Sequence, residues 1–144
     1  MLKRAVTILF TLLISYCIEA QHRTGDFMVY SGDNGLPACL YYRVFQSSDG
    51  YLWIGSSSGM VRFDGKRYKT FFSSYTDSNS LSDNIIVDFA EDDQQNLWIA
   101  GFMQGVTKYN LRTGRFKQYP RLSADKTASY GINKLLKDKD GYLW

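Results

Sequence analysis

Few side chains in this chain of 144 residues are of the kinds that catalyse. Acyl transfer needs a nucleophile beside an oriented base, and metal chemistry needs imidazole, thiolate or carboxylate ligands in register. His22 is the only histidine and stands close to the N-terminus, so a Ser-His-Asp site and a histidine metal site are both excluded. The acidic pairs Asp92-Asp93 and Asp138 with Asp140 fall between extended runs. There they read as solvated turn residues, and the glycine spacing is wrong for a calcium loop. Ser56-Ser57-Ser58-Gly59 lacks the flanking strand and helix of a nucleophile elbow. Trp53, Trp98 and Trp144 could stack on sugar rings. Their recurrence at one position of a repeat argues instead for core residues that pack one unit against the next. Neither a catalytic group, a metal nor a cofactor is expected.

The elements that position these residues follow from that repeat. DGYLWIGSSSGMVRF at 49–63 returns as QQNLWIAGFMQGVTKY at 94–109, and DGYLW returns at 140–144; the tryptophans are 45 and 46 residues apart. Each unit divides into four short extended runs separated by turn chemistry. In the first unit these are Tyr41 to Gln46, Tyr51 to Gly55, Met60 to Phe63 and Arg67 to Phe72; in the second, Ile85 to Ala90, Leu97 to Ala100, Val106 to Asn110 and Arg115 to Tyr119. Ser48-Asp49-Gly50 joins the first two runs, and Asp64-Gly65 reads as a two-residue hairpin turn between the last two. A period near 45 residues with four strands predicts an all-β chain of four-stranded antiparallel β-propeller blades. Blade 1 spans about 36–72 and blade 2 about 81–119. Blade 3 begins at about 132 and breaks off at Trp144, so about two and a half blades of an incomplete propeller are expected. The repeat positions Trp53, Gly55, Gly59, Trp98, Gly105 and Trp144 are structural in this reading. Asp26 to Tyr30, with the spacing of Phe27 and Tyr30 found in each fourth strand, is expected to be a strand that closes a ring.

Composition agrees with strands: 16% aromatic residues and twelve glycines suit short twisted strands better than helices. The formal charge of +3 is scattered, which argues against nucleic-acid binding. Lys3 and Arg4 precede an apolar run from Ala5 to Ile14, and the segment ends at the small Ala20, so residues 1–20 read as a secretory signal peptide. Tyr16, Cys17 and Glu19 interrupt that run too early for a membrane span, and Tyr16 before Cys17 argues against lipidation. Cys39 is then the single cysteine of residues 21–144 and is expected to be a small buried apolar residue.

LPACLYYRVFQSSDGYLWIGSSSGMVRFDG, followed by NLWIAGFMQGVTKYN and DGYLW, resembles the two-component regulator propeller repeat. Ala100 in place of a glycine, Gln94-Gln95 in place of Asp-Gly and Ser56 in place of threonine are departures at turn and packing positions. The resemblance implies the N-terminal part of the periplasmic, ligand-sensing propeller of a hybrid two-component regulator. The parent would carry an immunoglobulin-like connector, a membrane helix, a sensor histidine kinase and phosphorelay domains. A small molecule or oligosaccharide, such as a glycan fragment, would be the signal. Other partners would be the rest of the propeller and, in the parent, a second copy in a homodimer; the membrane would be reached only through downstream parts. An exported propeller glycosidase or lyase, or a remnant without function, are the alternatives. Recognition falls to loops that differ between units. Ser73 to Asn84 and Pro120 to Gly131, with the turns between second and third strands, are expected on one rim. Tyr75, Asp77, Asn79, Phe102, Gln104, Lys126 and Tyr130 are the candidate ligand contacts there.

Overall fold

Runs of β-branched and aromatic residues, punctuated by Gly, Asp and Ser, fold into eight strands in the computed structural model, which describes residues 29, 31–32, 35–120 and 131–144. In chain order these are β1 Tyr41–Gln46, β2 Leu52–Ser56, β3 Gly59–Phe63, β4 Tyr68–Phe71, β5 Ile86–Glu91, β6 Asn96–Gly101, β7 Gly105–Asn110 and β8 Phe116–Pro120. They make two four-stranded antiparallel sheets in sequence order, β1-β2-β3-β4 and β5-β6-β7-β8. Each is one propeller blade, as the repeat requires. A third pairing begins at the bridge Lys137–Leu143, flanked by Leu136 and Trp144 exchanging backbone hydrogen bonds of 2.9 and 2.8 Å. The signal-like residues 1–20 and, Val29 apart, the closing strand at 26–30 lie outside the described residues. Among the described residues no helix is long and apolar enough to cross a membrane.

The two sheets bury one another. Trp53, Met60, Leu81, Ile86, Phe89, Leu97, Ile99 and Tyr109 form the core, drawn from both blades and the connection between them. The Trp53 indole meets Tyr109 of blade 2 edge-on at 5.3 Å between ring centres and Phe71 of its own blade at 6.1 Å. Exposure of the three repeat tryptophans then rises along the chain. Trp53 is completely buried, Trp98 is half-buried and Trp144 is 74% exposed. Trp53 is thus covered by the blade that follows it, through Tyr109. Close approach also explains Gly55: a Cβ there would stand 2.6 Å from the Ile86 carbonyl oxygen of β5, so any side chain would push the blades apart. Gly59 and Gly105 open β3 and β7 with φ of 96° and 109°, where other residues are strained.

Two local expectations need correction. Asp64-Gly65 does not form a two-residue turn: Phe63 pairs with Tyr68, leaving four residues between β3 and β4. The Asp64 carboxylate accepts from the N–H groups of Lys66 and Arg67 at 2.8 and 2.6 Å, and this side-chain turn stabilises the longer connection. Gln95 supplies the left-handed residue, φ 60°, that Gly50 and Gly141 supply in the other two units. Cys39 is half-buried rather than buried, with its thiol 3.6 Å from the Pro37 carbonyl oxygen.

Candidate functional site

Strand direction places the β2–β3 and β6–β7 turns and the β4–β5 connection at one end of the blades, and backbone bonds hold them there. The Gly59 N–H donates to the Asn84 carbonyl at 2.6 Å, and the Ser73 N–H donates to the Asn84 side chain at 2.8 Å. Asp83 is the main anchor. One carboxylate oxygen accepts from the Met103 and Gln104 N–H groups at 2.7 and 3.1 Å, and the other accepts from the Ile85 N–H at 3.0 Å. Gly101 makes this possible, because a Cβ there would lie 2.5 Å from that of Asp83.

On this rim a cleft of about 390 Å³ opens between the connection and blade 2. Ser73, Ser74, Tyr75, Thr76, Ser78 and Ser82 line one side, and Gln104, Gln118 and Pro120 the other. Among the described residues the walls are rich in hydroxyl and carboxamide groups and carry no charged side chain. Tyr75 stands fully exposed at the mouth. The structure therefore brings Tyr75 and Gln104 together. Asp77 is exposed in the same connection but spends one carboxylate oxygen on the Asn79 N–H at 2.8 Å. Asn79 is committed elsewhere: its side-chain oxygen accepts from the Phe116 N–H at 2.8 Å and ties the connection to the start of β8. Lys126 and Tyr130 lie outside the described residues.

Phe102 belongs to a second recess of about 460 Å³, which it shares with Tyr42, Ile85, Val87 and Asn133. Two of these residues were invisible in the sequence. Both innermost strands carry a β-bulge at the same repeat position, between Tyr41 and Arg43 in β1 and between Ile86 and Asp88 in β5. The extra residues are Tyr42 and Val87. A bulge re-aims a side chain out of the ladder, and here both bulged residues line one recess. What the arrangement offers is an apolar and aromatic surface with one carboxamide, beside a hydroxyl-rich cleft. This is equipment for holding a ligand rather than for moving protons. Among the described residues no group of three or more His, Cys, Asp or Glu is placed to hold a metal ion.

At the opposite end, the turn carboxylates are more than solvated turn residues. Six residues before each repeat tryptophan stands the acceptor of its indole N–H: Ser47 for Trp53 at 2.8 Å, Asp92 for Trp98 at 2.8 Å and Asp138 for Trp144 at 2.9 Å. Partial burial would raise Asp92, but hydrogen bonds from Asn96, from Trp98 and from the Gln94 N–H outweigh it and hold the carboxyl below its ordinary range. Asp138 is lowered chiefly by the Trp144 indole; burial opposes this, and the Tyr142 and Asp140 N–H groups add to the lowering. These aspartates thus brace the repeat tryptophans at that end.

Segments 35–58 and 80–103 each match the family described as Two component regulator propeller. No curated protein is significantly similar to the chain. Among solved structures, the extracellular domain assigned to the hybrid two component system BT3049 of B. thetaiotaomicron aligns with a TM-score of 0.65 and 22% identity, over 81% of this chain and 17% of that one. Two structures of the extracellular domain of BT4673 from the same organism align similarly. One, assigned to a hybrid two component system, gives a TM-score of 0.59 and 22% identity over 76% of this chain and 14% of its own. The other, assigned to a one component system, gives 0.65 and 21% over 85% and 16%. The chain thus spans less than a fifth of the length of these structures, and at this identity the likeness is one of fold. The matched segments take in the first two strands of each sheet, β1 with β2 and β5 with β6, so each stretch that resembles the Two component regulator propeller family opens a four-stranded propeller blade.

Proposed function

We propose that this chain is a ligand-binding part of the exported sensor of a hybrid two-component regulator, working in the periplasm as signal input to a histidine kinase elsewhere in the parent and not as an enzyme itself. The observation that carries the reading is the rim cleft, whose described lining is uncharged and sets an exposed Tyr75 ring beside hydroxyl and carboxamide groups including Gln104. An aromatic face beside short neutral donors and acceptors is the chemistry that recognises sugar rings, which stack through their C–H faces and hydrogen-bond through hydroxyls. The ligand would be an oligosaccharide, the kind of signal that reports an available glycan. Removal of residues 1–20 on export, and blades 1, 2 and 3 as parts of a larger ring that pairs in a homodimer, belong to the same reading.

The test is calorimetric titration of the full chain against a panel of oligosaccharides, with Tyr75→Ala and Gln104→Ala beside it. Saturable binding weakened about tenfold or more by Tyr75→Ala is the expected result. Binding that both variants leave untouched refutes the rim as the site, and no binding across neutral and acidic sugars refutes the sugar-sensing reading.

A further inference from the structure

The apolar surfaces of the blades repeat, so on their own they do not say which blade should lie beside which. At the junctions the polar positions change instead. Ten residues before each repeat tryptophan stand Arg43, Asp88 and Lys134; seven before stand Gln46, Glu91 and Lys137; five before stand Ser48, Asp93 and Lys139. These positions meet across the junctions. Arg43 Nε of β1 lies 3.0 Å from Asp88 Oδ1 of β5, and the Asp88 side chain is only 5% exposed. That oxygen makes no hydrogen bond, so the guanidinium charge is what offsets its burial. The other Asp88 oxygen accepts from the Leu135 N–H at 3.0 Å, so one carboxylate links residues from all three units. Near the opposite end, Glu91 accepts from the Ser48 N–H at 2.8 Å and from its hydroxyl, while at the next junction the equivalent Lys137 donates to Asp93.

We propose that these positions are a charge code fixing blade order, and that the junction surface of blade 2 accepts a neighbour of opposite charge while rejecting a second copy of itself. The wrong pairings show how the code works. If blade 2 packed on blade 2 of another molecule in the same mode, Asp93 would face Glu91 and Asp88 would face Asp88, two carboxylates that could not both stay ionised when buried. If the third unit packed directly on blade 1, Lys134 would meet Arg43. Only the order 1, 2, 3 puts a carboxylate against Arg43 and a cation against Asp93. Specificity arises here from the penalty on the alternatives more than from the strength of the native pairs.

Charge reversals in the full chain test this. Arg43→Glu and Asp88→Arg, separately and together, are followed by thermal unfolding. Asp93→Lys and Lys137→Glu, separately and together, are followed by unfolding and by sedimentation equilibrium at low salt and at about 0.5 M salt. Each single reversal should lower the midpoint, and each double reversal should recover more than half of the summed loss. Asp93→Lys should strengthen self-association about two- to fivefold at low salt, because Lys would now face Glu91 of a second copy. Salt, or Lys137→Glu in the same chain, should abolish the excess. Losses that add without recovery in both pairs, or association unmoved by Asp93→Lys or insensitive to salt, overturn the proposal. Should Asp88→Arg fail to fold, the second pair decides, since the Asp93 side chain is 82% exposed and its replacement leaves the core intact.

Discussion

Truncating the three repeat tryptophans one at a time should give three different costs in this chain. Trp53 is completely buried against Tyr109, Phe71 and the rest of the shared core, and its indole donates to buried Ser47. Trp53→Ala therefore removes a full aromatic burial, leaves a cavity and takes away one of the hydrogen bonds of the Ser47 hydroxyl, and should cost about 3–5 kcal/mol. Trp98 packs at 5.4 Å against the tilted ring of Tyr119 and is only partly exposed, so Trp98→Ala should cost less than Trp53→Ala, about 2–3 kcal/mol. Trp144, at 74% exposure, has little area to lose and should cost under about 1 kcal/mol. Denaturant unfolding at matched conditions, with midpoints compared at constant slope, reads all three. Three similar costs would refute the ranking by burial. A Trp53→Ala chain that kept its stability and lost a sugar ligand would show that the repeat tryptophans are binding platforms after all.

Four further outcomes follow from single contacts. Gly55→Ala should destabilise the chain by about 1–3 kcal/mol, because its Cβ meets the Ile86 carbonyl oxygen at 2.6 Å; thermal unfolding unchanged by the substitution would contradict that close approach. Gln95→Gly should stabilise by about 0.5–1 kcal/mol in the same assay, since φ 60° strains any residue with a Cβ. Asp83→Ala should cost about 1–3 kcal/mol and loosen the rim, seen as faster amide exchange at Met103 and Gln104, whose N–H groups lose their acceptor. Asp92 has a folded pKa below its unfolded value, so its contribution is complete above about pH 4–5 and is lost as pH falls through the lower folded value; Asp92→Asn should lower stability at neutral pH, leave it little changed at low pH, and so flatten the acid limb of a stability profile.

The strands and their period were legible because the same residues return: Leu-Trp-Ile, the turn glycines and the paired aromatics of the fourth strand recur at fixed spacing, and a blade is what that recurrence builds. What stayed hidden depends on partners far along the chain. A bulge exists only relative to the strand it faces, so Tyr42 and Val87 looked like ordinary members of β1 and β5. Asp92 and Asp138 looked solvated because a carboxylate in a turn usually is. The signal that could have corrected this was present, since Ser47, Asp92 and Asp138 all stand six residues before a tryptophan and all can accept its N–H. Asp83 gave no such signal, because its counterpart in the first unit is Ala38 and comparison of the repeats made it look dispensable.

Asp83 and Ala38 show how this fold separates scaffold from site. Blade 1 holds its rim turn with Ser56, whose hydroxyl donates to the Gly59 carbonyl at 2.8 Å and accepts from the Ser58 N–H at 3.0 Å. Blade 2 places Gly101 at the position of Ser56, imports Asp83 from the connection and gains one residue in the turn. The longer turn carries Phe102 into one recess and Gln104 into the other cleft, and it is fixed by a carboxylate rather than by its own hydroxyl. A turn braced from outside can change length and sequence without disturbing the strands beneath it. Recognition can therefore diverge between blades whose cores are nearly the same, and the departures from the repeat, more than the repeat itself, mark where a ligand would be read.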